Sequence, residues 1–404
     1  MGEAENTMGR APEKSRGGLP LLQFAAFFSS FDRFVVAPML VTIAAALGAS
    51  LASVTATASL YYLLYGMMQP VWGMLSDRLG RVRVMRLTLF GATVAGVLSA
   101  FAPNLTVLIA ARALAGGLFA AVIPASLVYV GDTVGMGSRQ KALADLMAAS
   151  AMGTALATVL GGFAAYLDAW RVAFAAPALA GGVLALILAR LPEPEGFAAQ
   201  EREGPLVQIG RVVRRPWAVA VVGIAMVEGA VILGFLTFLA PSLEHGGFSP
   251  AVAGLAVGLY GLAVLGWTRA VKLVSDRLGP AALILIGGGM LALGYASGAS
   301  GQSLTGVGIV AVLVGGGFAF MHSTLQTWAT EVVPEARHGD LAFRRRPVRG
   351  QRGVHHRRRP VGGGRALRAA FRHGGGGRRT TRAFGGPGAP PLHSVSSVRL
   401  APRR

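Results

Sequence analysis

Ionisable side chains stand inside long apolar stretches of this chain at three places. Asp32 and Arg33 lie about twelve residues into the first stretch, Arg112 lies in the fourth, and Glu228 lies in the seventh. An arginine in hydrocarbon costs roughly 2.5–3.5 kcal/mol on insertion scales, so it needs a partner or a wet cavity. An acid that is protonated in one state and cation-paired in another can couple proton movement to transport. The alternatives are a static ion pair, Asp32–Arg33 or Asp32–Arg112, and an arginine that reaches the membrane interface.

The stretches that carry these residues are long enough to be membrane helices. Of the 404 residues, 53% are hydrophobic and 14% are charged, whereas soluble domains have about 25% charged residues. A run of about 20 apolar residues crosses roughly 30 Å of hydrocarbon as a helix, and these runs are continuous rather than alternating. We predict ten membrane helices, with the approximate spans 20–46, 53–75, 84–102, 105–130, 142–166, 171–190, 217–240, 250–271, 280–298 and 304–329.

The turns between these helices alternate in charge. Basic residues precede the first helix and follow the second, fourth, sixth and eighth helices, whereas the opposite turns at 47–52 and 299–303 have none. Positive turns stay on the cytoplasmic side of a membrane. We therefore expect the N-terminus and the basic turns to be cytoplasmic.

The two halves of the chain repeat. Ser-Asp-Arg-Leu-Gly occurs at Ser76–Gly80 and again at Ser275–Gly279, which is an offset of 199 residues. An even number of helices separates the copies, so both halves have the same orientation. Parallel repeats of this kind are typical of one class of transporter. The same offset pairs Gly48 with Gly247, Ser50 with Ser249, Tyr61 with Tyr260 and Phe119 with Phe318.

The first copy lies in a longer motif, Gly73-Met-Leu-Ser-Asp-Arg-Leu-Gly-Arg-Val-Arg83. Its aspartate can accept hydrogen bonds from a helix N-terminus or from an arginine of the adjacent bundle, and its second glycine permits a tight turn. The motif resembles the signature loop of the major facilitator superfamily. In that family the loop is a latch for the outward-facing state; the alternative is a basic turn with no moving role. The resemblance assigns the latch to Gly73, Asp77, Arg78, Gly80, Arg81, Asp276 and Arg277.

The second copy departs from the family pattern. Lys272 stands where the first glycine belongs, and Pro280 stands where the arginine belongs. The fifth helix carries Gly161-Gly162 but lacks the Gly-Pro pair that exporters of the family often have before it. These departures weaken the case for a second latch and for antiport.

Arg112-Ala-Leu-Ala-Gly116 is similar to the Arg-x-x-x-Gly pattern of the family. In family members the first, fourth, seventh and tenth helices line a central cavity. The resemblance therefore places Asp32, Arg112 and Glu228 in one cavity, as the proton-coupling residues.

Three further residues are candidates for contact with a substrate in that cavity. Arg33 follows Asp32, while His322 and Gln326 are four residues apart on the tenth helix and so share one face. The alternative for His322 is a packed, hydrogen-bonded histidine. Trp170-Arg171-x-x-Phe174 opens the sixth helix, and we interpret it as an interfacial anchor.

The resemblance covers about residues 20–342 and implies an all-α membrane protein of the major facilitator fold, with two bundles and a truncated second one. The predicted division is a cytoplasmic tail (1–19), a six-helix bundle (20–190), a cytoplasmic linker (191–216), a four-helix bundle (217–342) and an Arg/Gly-rich tail (343–404). The implied function is secondary transport of a small solute by alternating access, most similar to drug–proton antiport by twelve-helix proteins of the bacterial inner membrane. Proton symport on the same fold is the alternative.

The composition changes abruptly after Asp340. Residues 341–404 contain 17 of the 38 basic residues and no acidic residue, so the rest of the chain has a net charge of +3 rather than +20. A one-nucleotide frameshift near Phe343 explains the change, because GC-rich codons in an adjacent frame can encode apolar helices. The alternatives are a truncated remnant and an arginine-rich arm that binds nucleic acid.

No pattern for catalysis appears. The chain has no cysteine, no metal-ligand spacing, no phosphate loop and no nucleophile–base pair. We expect no enzymatic activity, no cofactor and no metal. The expected partners are a small-molecule substrate, protons and membrane lipid, without nucleic acid, and the expected state is a monomer.

Overall fold

Ten long helices make up the part of the chain that the computed structural model describes, which is residues 18–194, 210, 214–275 and 277–332, with side chains as far as Leu325. Every element assigned in these residues is helical. The predicted all-α fold is therefore confirmed. Asp276, the side chain of Gln326 and the predicted tail at 343–404 lie outside the described part.

The first six helices follow one another through short turns. The first is helical over Leu19–Phe34, passes through a 3-10 turn at Ala37–Met39 and continues as Leu40–Ala46. This break coincides with Pro38, which has no N–H to donate within a helix. A single turn at Leu51–Val54 then precedes the second helix. The six spans are α1 (Leu19–Ala46), α2 (Ala56–Leu79), α3 (Arg81–Ala100), α4 (Leu105–Thr133), α5 (Met136–Tyr166) and α6 (Trp170–Arg190).

Four long helices form the described portion of the second half. Three of them begin at proline, a residue that suits the first helical position because the N–H there has no intrahelical acceptor. Their bounds are α7 (Pro216–His245), α8 (Pro250–Val274), α9 (Pro280–Ser300) and α10 (Leu304–Val332).

The internal repeat is visible in the helix starts and in one turn. α3 and α9 begin at Arg81 and Pro280, and α4 and α10 begin at Leu105 and Leu304, so both pairs keep the 199-residue offset. In the turn before α2 and α8, the side chains of Ser50 and Ser249 each cap a helix. The paired glycines Gly48 and Gly247 have φ of +59° and +88°, where a side chain would be strained. The parallel repeat is therefore confirmed at the level of local geometry.

Nine of the ten described helices are long and apolar enough to cross a membrane. The exception is α2, whose 24 residues include three tyrosines, Gln69 and the Asp77-Arg78 pair. Since α2 packs extensively against α4, these polar groups sit on a helix that is partly enclosed by protein. The sequence spans are close to the observed ones, but several helices extend by polar turns beyond the apolar run.

Glycines bring the two halves together along α5 and α8. A Cβ on Gly162 would lie 2.5 Å from the carbonyl oxygen of Pro250, and one on Gly254 would lie 2.4 Å from that of Thr158. Gly261 similarly approaches the backbone of Ala155. Only glycine permits such close backbones, and small residues drive helix packing where lipid surrounds both helices.

The halves share a hydrophobic cluster at one end only. Met39 and Ile43 of α1 pack in one cluster with Leu236 and Leu239 of α7. This cluster lies at the end away from the arginine-rich turn between α2 and α3 (residues 78–83). At the arginine-rich end, the clusters among the described residues each belong to a single half. Among the described residues, the hydrophobic packing that the two halves share therefore lies at the end away from that turn.

In the described second half, a smaller fraction of α7 is buried by neighbouring helices than is buried of α1 in the first half. In the most apolar part of α7, 22% is buried inside the protein, against 72% for its counterpart α1. In the first half α5 and α6 both pack on α1. A cavity of about 570 Å³ lies beside α7, lined by Ala220, Gly223, Ile224, Val227, Glu228, Val231, Leu291 and Met321.

Candidate functional site

A buried ion pair joins α1 to α4. Nη1 of Arg112 donates to both carboxylate oxygens of Asp32, at 2.9 and 3.1 Å, and Nη2 donates to the Asp32 carbonyl oxygen at 2.6 Å. The side chains are 0% and 1% exposed. A pair so enclosed has lost most of its hydration, so removing either charge leaves the other buried and uncompensated.

Two aromatic rings hold the Arg112 guanidinium in place. Its central carbon lies 4.5 Å from the ring centre of Tyr61 and 4.9 Å from that of Phe174. Tyr61 can lie this close because α2 approaches α4 at Gly116, where a Cβ would be only 2.4 Å from the Tyr61 carbonyl oxygen. The glycine of the Arg112-x-x-x-Gly116 pattern therefore positions the ring that covers the arginine.

Arg33 lies beside this pair but is bound differently. Its Nη2 donates to Ser30 Oγ at 3.3 Å, and its guanidinium carbon lies 4.9 Å from the ring centre of Phe34 and 4.7 Å from that of Tyr65. Its Nε is buried and has no hydrogen-bond partner among the described residues. Arg33 is therefore a half-buried cation held mainly by aromatic faces.

The second half contains another acid–base pair. Oε2 of Glu228 on α7 lies 3.1 Å from Nδ1 of His322 on α10, and the side chains are 2% and 36% exposed. The imidazole stacks on Phe318, with ring centres 4.5 Å apart. The other oxygen, Oε1, is buried and has no partner among the described residues. One carboxylate oxygen is thus bound to a group that can gain or lose a proton, and the other remains available.

Two tyrosines, Tyr62 and Tyr260, make contacts between the helices of the two halves. The Tyr62 hydroxyl donates to the Arg33 carbonyl oxygen at 3.5 Å and is also within reach of Thr237 on α7. The ring of Tyr260, the counterpart of Tyr61 in the repeat, lies 6.2 Å from that of Phe34. Tyr260 also lies 6.4 Å from Phe318, ring centre to ring centre, and Phe318 stacks on His322, the partner of Glu228. These contacts place the two sets of charged groups on either side of one inter-half region.

The loop between α2 and α3 is held by charges from the first half. Arg81, which is 6% exposed, pairs with Asp77 and has its Nε 3.5 Å from Asp132 Oδ2 on α4. Glu193 accepts hydrogen bonds from the backbone N–H groups of Val82 and Arg83, at 3.1 and 2.7 Å. A carboxylate at that place caps the N-terminus of α3 and complements its dipole.

The remaining latch candidates occupy different environments. Gly80 has φ of +107°, and a Cβ there would lie 2.5 Å from the Glu193 carboxylate, so the loop requires glycine at this position. A Cβ added at Gly73 would meet no other atom within 4 Å, so close packing does not require glycine at this position. Arg78 and Arg277 are exposed. Asp276 lies outside the described residues.

Several residues at these sites were not selected from the sequence. From the sequence, Tyr61 is only a member of a repeated pair and Phe174 only part of an interfacial anchor, yet both rings cover Arg112. For Tyr61, the sequence signal that could have indicated a role is its repetition as Tyr260 in the second half. Asp132 and Glu193 lack such a signal, because their roles depend on contacts between distant segments. Arg171 does bind at a helix end, donating to the carbonyl oxygens of Ala100 and Ala102.

Within the residues that the structure describes, no group of three or more His, Asp or Glu side chains is placed to hold a metal ion. The side chains present at the site can form hydrogen bonds and ion pairs and can exchange protons. Two repeated helical halves, each with a buried acid paired to a base, together define a multi-pass membrane protein of the fold class that transporters use.

This chain belongs to the Major Facilitator Superfamily, whose family model matches residues 22–343. It is 27% identical over 218 residues to a triacylglyceride transporter of Mycolicibacterium hassiacum, which covers 53% of this chain and 40% of the relative. It is 31% identical over 175 residues to citrate exporter 1 of Aspergillus niger, which covers 43% of this chain and 33% of the relative. The chain thus spans well under half the length of these curated relatives.

A solved structure supports the fold assignment. A bacterial homolog of the human lysosomal transporter Spinster, in an inward-facing and unoccupied conformation, superposes with a TM-score of 0.61 at 19% identity. The match covers 83% of this chain and 79% of that chain. The predicted family and fold are therefore confirmed, while substrate, direction and coupling are matters for a proposal.

Proposed function

We propose that this protein is a secondary transporter that moves a small solute across the membrane by alternating access, in exchange for protons. The observation that carries the proposal is that each half holds a buried acid paired with a base, Asp32 with Arg112 and Glu228 with His322, on helices that flank the inter-half region. Buried ionisable groups inside membrane helices are costly and mark ion or proton pathways.

Glu228 and His322 supply the group that exchanges a proton. An imidazole can hold or release a proton, so this pair can exist as carboxylate–imidazolium or with one proton fewer. The partly exposed imidazole gives protons access to a carboxylate that is itself enclosed. A change of protonation would then alter the attraction between α7 and α10 and bias the halves toward one conformation.

Asp32 and Arg112 supply a second, more tightly held pair. Arginine stays protonated in proteins, so any proton exchanged here is carried by Asp32. Exchange requires Arg112 to leave the carboxylate in one conformation of the carrier, and the clamp of Tyr61 and Phe174 opposes that movement. We therefore propose Glu228 as the principal coupling acid and Asp32 as a supporting one.

The loop between α2 and α3 is proposed as the latch of the carrier. At the end where this loop lies, the hydrophobic clusters of the described residues each belong to a single half, and the loop is anchored within its own half by Asp132 and Glu193. Closure at that end would bring Asp77 and Arg78 toward α8 and α10. The citrate exporter among the relatives favours efflux as the direction.

Transport by proteoliposomes with an imposed pH gradient tests this function. The chain is reconstituted and the exchange of a panel of radiolabelled organic solutes is measured with the interior acidic, alkaline or equilibrated. Antiport predicts that a proton gradient directed into the vesicle drives a preloaded solute out. Accumulation of solute along the same proton gradient would show symport instead, and no gradient-dependent flux of any solute would overturn the proposal.

Matched variants connect the flux to the site. Glu228→Gln keeps the shape of the side chain and removes its titration, so it is expected to abolish gradient-driven flux. Glu244→Gln makes the same change at the far end of the same helix and is expected to retain it. Equal losses in both variants would remove Glu228 from the coupling mechanism.

A further inference from the structure

Charge is unevenly balanced around the first-half site. Asp32 is fully engaged by Arg112, with both carboxylate oxygens accepting from one nitrogen. Arg33 is the next residue on the same helix, and no carboxylate among the described residues lies within ion-pair distance of it. The three groups together therefore carry one uncompensated positive charge, and it resides on Arg33.

The hydrogen-bonding capacity of Arg33 is also unused. A guanidinium has five N–H donors in a planar fork that matches a carboxylate. Among the described residues only Ser30 Oγ accepts one of them, and the buried Nε has no acceptor. Leaving a buried charged donor unsatisfied is unfavourable, so this position favours a ligand that brings oxygen atoms.

Other membrane arginines of this chain show what a structural arginine looks like. Arg112 makes three hydrogen bonds to Asp32, and Arg171 donates to two carbonyl oxygens at a helix end. Nε of Arg112 is likewise buried without a partner among the described residues, but the charge of Arg112 is neutralised by Asp32. Arg33 differs from both, because its close neighbours are mainly ring faces rather than oxygen atoms.

The surroundings of Arg33 are aromatic and include both halves. Phe34 and Tyr65 flank its guanidinium, and Phe34 in turn contacts Tyr260 of the second half. Tyr62 binds the Arg33 backbone and reaches Thr237 on α7. Such a lining suits an apolar, ring-containing body next to a charged head.

We propose that Arg33 binds the carboxylate of an organic anion whose body is apolar, and that such anions are the substrate class of this carrier. The inference rests on the proposed transport function and assigns its substrate chemistry. The carboxylate pairs with the guanidinium of Arg33, and the apolar body lies among the rings between the halves. Binding there contacts α1, α2 and α8 together, so it depends on the relative position of the two halves.

Binding to a series that differs only in its head group tests the proposal. The full chain is placed in nanodiscs of neutral phosphatidylcholine, so that no anionic lipid competes, and phenylbutyrate, phenylbutanol and phenylbutylamine are titrated by thermal stabilisation. Phenylbutyrate is expected to bind most tightly. Arg33→Gln should weaken phenylbutyrate roughly ten- to a hundred-fold while leaving phenylbutanol unchanged. Arg33→Lys should recover part of the affinity, and Arg269→Gln, which removes an exposed arginine of α8, should change neither.

The outcomes separate this inference from the proposed function. Preference for phenylbutanol or phenylbutylamine, or phenylbutyrate binding that is insensitive to Arg33→Gln, would overturn the anion site and leave the transport proposal standing. If none of the three probes binds, Arg33 is not a receptor for carboxylates of this kind, and the inference is also overturned. The transport proposal itself fails only if the proteoliposome experiment shows no gradient-dependent flux.

Discussion

Nδ1 of His322 lies 3.1 Å from Oε2 of Glu228, although 94 residues separate them in the chain. The distance is that of a hydrogen bond, and the carboxylate is enclosed while the imidazole is partly exposed. This relationship makes His322 a partner of the acid rather than an isolated ring available only to substrate. It also gives the second half an ionisable pair that differs in kind from the Asp32–Arg112 pair of the first.

The pair predicts a specific loss of pH response. His322→Gln keeps a hydrogen-bonding side chain but cannot bind the proton that an imidazole can, so we expect the rate of solute exchange to lose most of its dependence on pH over the range in which the unsubstituted protein responds. Exchange at equal pH on both sides should persist, because the substitution leaves the cavity intact. The measurement is solute exchange in proteoliposomes over that pH range. His245→Gln, at the end of α7, is the control, and an unchanged pH profile in His322→Gln would contradict the prediction.

The Asp32–Arg112 pair predicts a stability effect that depends on which charge is removed. Asp32→Asn leaves an uncompensated arginine that is 0% exposed, so we expect a loss of roughly 3–5 kcal/mol. Replacing both residues, as Asp32→Asn with Arg112→Met, should recover much of that loss because no charge remains buried. Thermal unfolding in detergent micelles measures both variants. A double variant no more stable than Asp32→Asn would argue against the buried-charge explanation.

The close approach of α2 to Gly116 predicts that a larger residue there destabilises the protein, and another glycine of α4 provides the comparison. A Cβ at Gly116 would lie 2.4 Å from the Tyr61 carbonyl oxygen, whereas Gly131, also on α4, has no atom within 4 Å. Gly116→Ala must therefore push α2 away from α4 and should cost about 1–3 kcal/mol. Gly131→Ala should be neutral or stabilising, since alanine favours helix more than glycine does. The same unfolding assay compares them, and equal effects would show that the close approach is not needed.

The hydrogen bonds of Glu193 predict that this side chain stabilises the first turn of α3. It accepts two backbone N–H bonds at the start of that helix, and loss of a helix cap costs about 0.5–2 kcal/mol. Glu193→Ala should lower the unfolding temperature and increase hydrogen exchange at Val82 and Arg83. Asp145→Ala, an exposed acid within α5, is the comparison. Unaltered exchange at the α3 terminus would mean that the carboxylate does not serve as the cap.

The sequence by itself determined the membrane helices, the repeat and the family. Lipid offers no hydrogen bonds, so each crossing requires a continuous apolar run whose length is set by the bilayer, and such runs are visible without a structure. The turn at Gly48 and its copy at Gly247 were also visible, because left-handed backbone demands local residue chemistry. These features depend on neighbours in the chain.

Only the tertiary structure decided how the buried charges are shared. Asp32 had two candidate cations, Arg33 and Arg112, and the structure pairs it with Arg112 because consecutive residues on a helix do not face each other. The pairing of Glu228 with His322 and the cap from Glu193 join segments far apart in the sequence. Composition and periodicity describe one helix at a time, whereas an ion pair between helices depends on their separation and rotation, which packing of the whole bundle fixes.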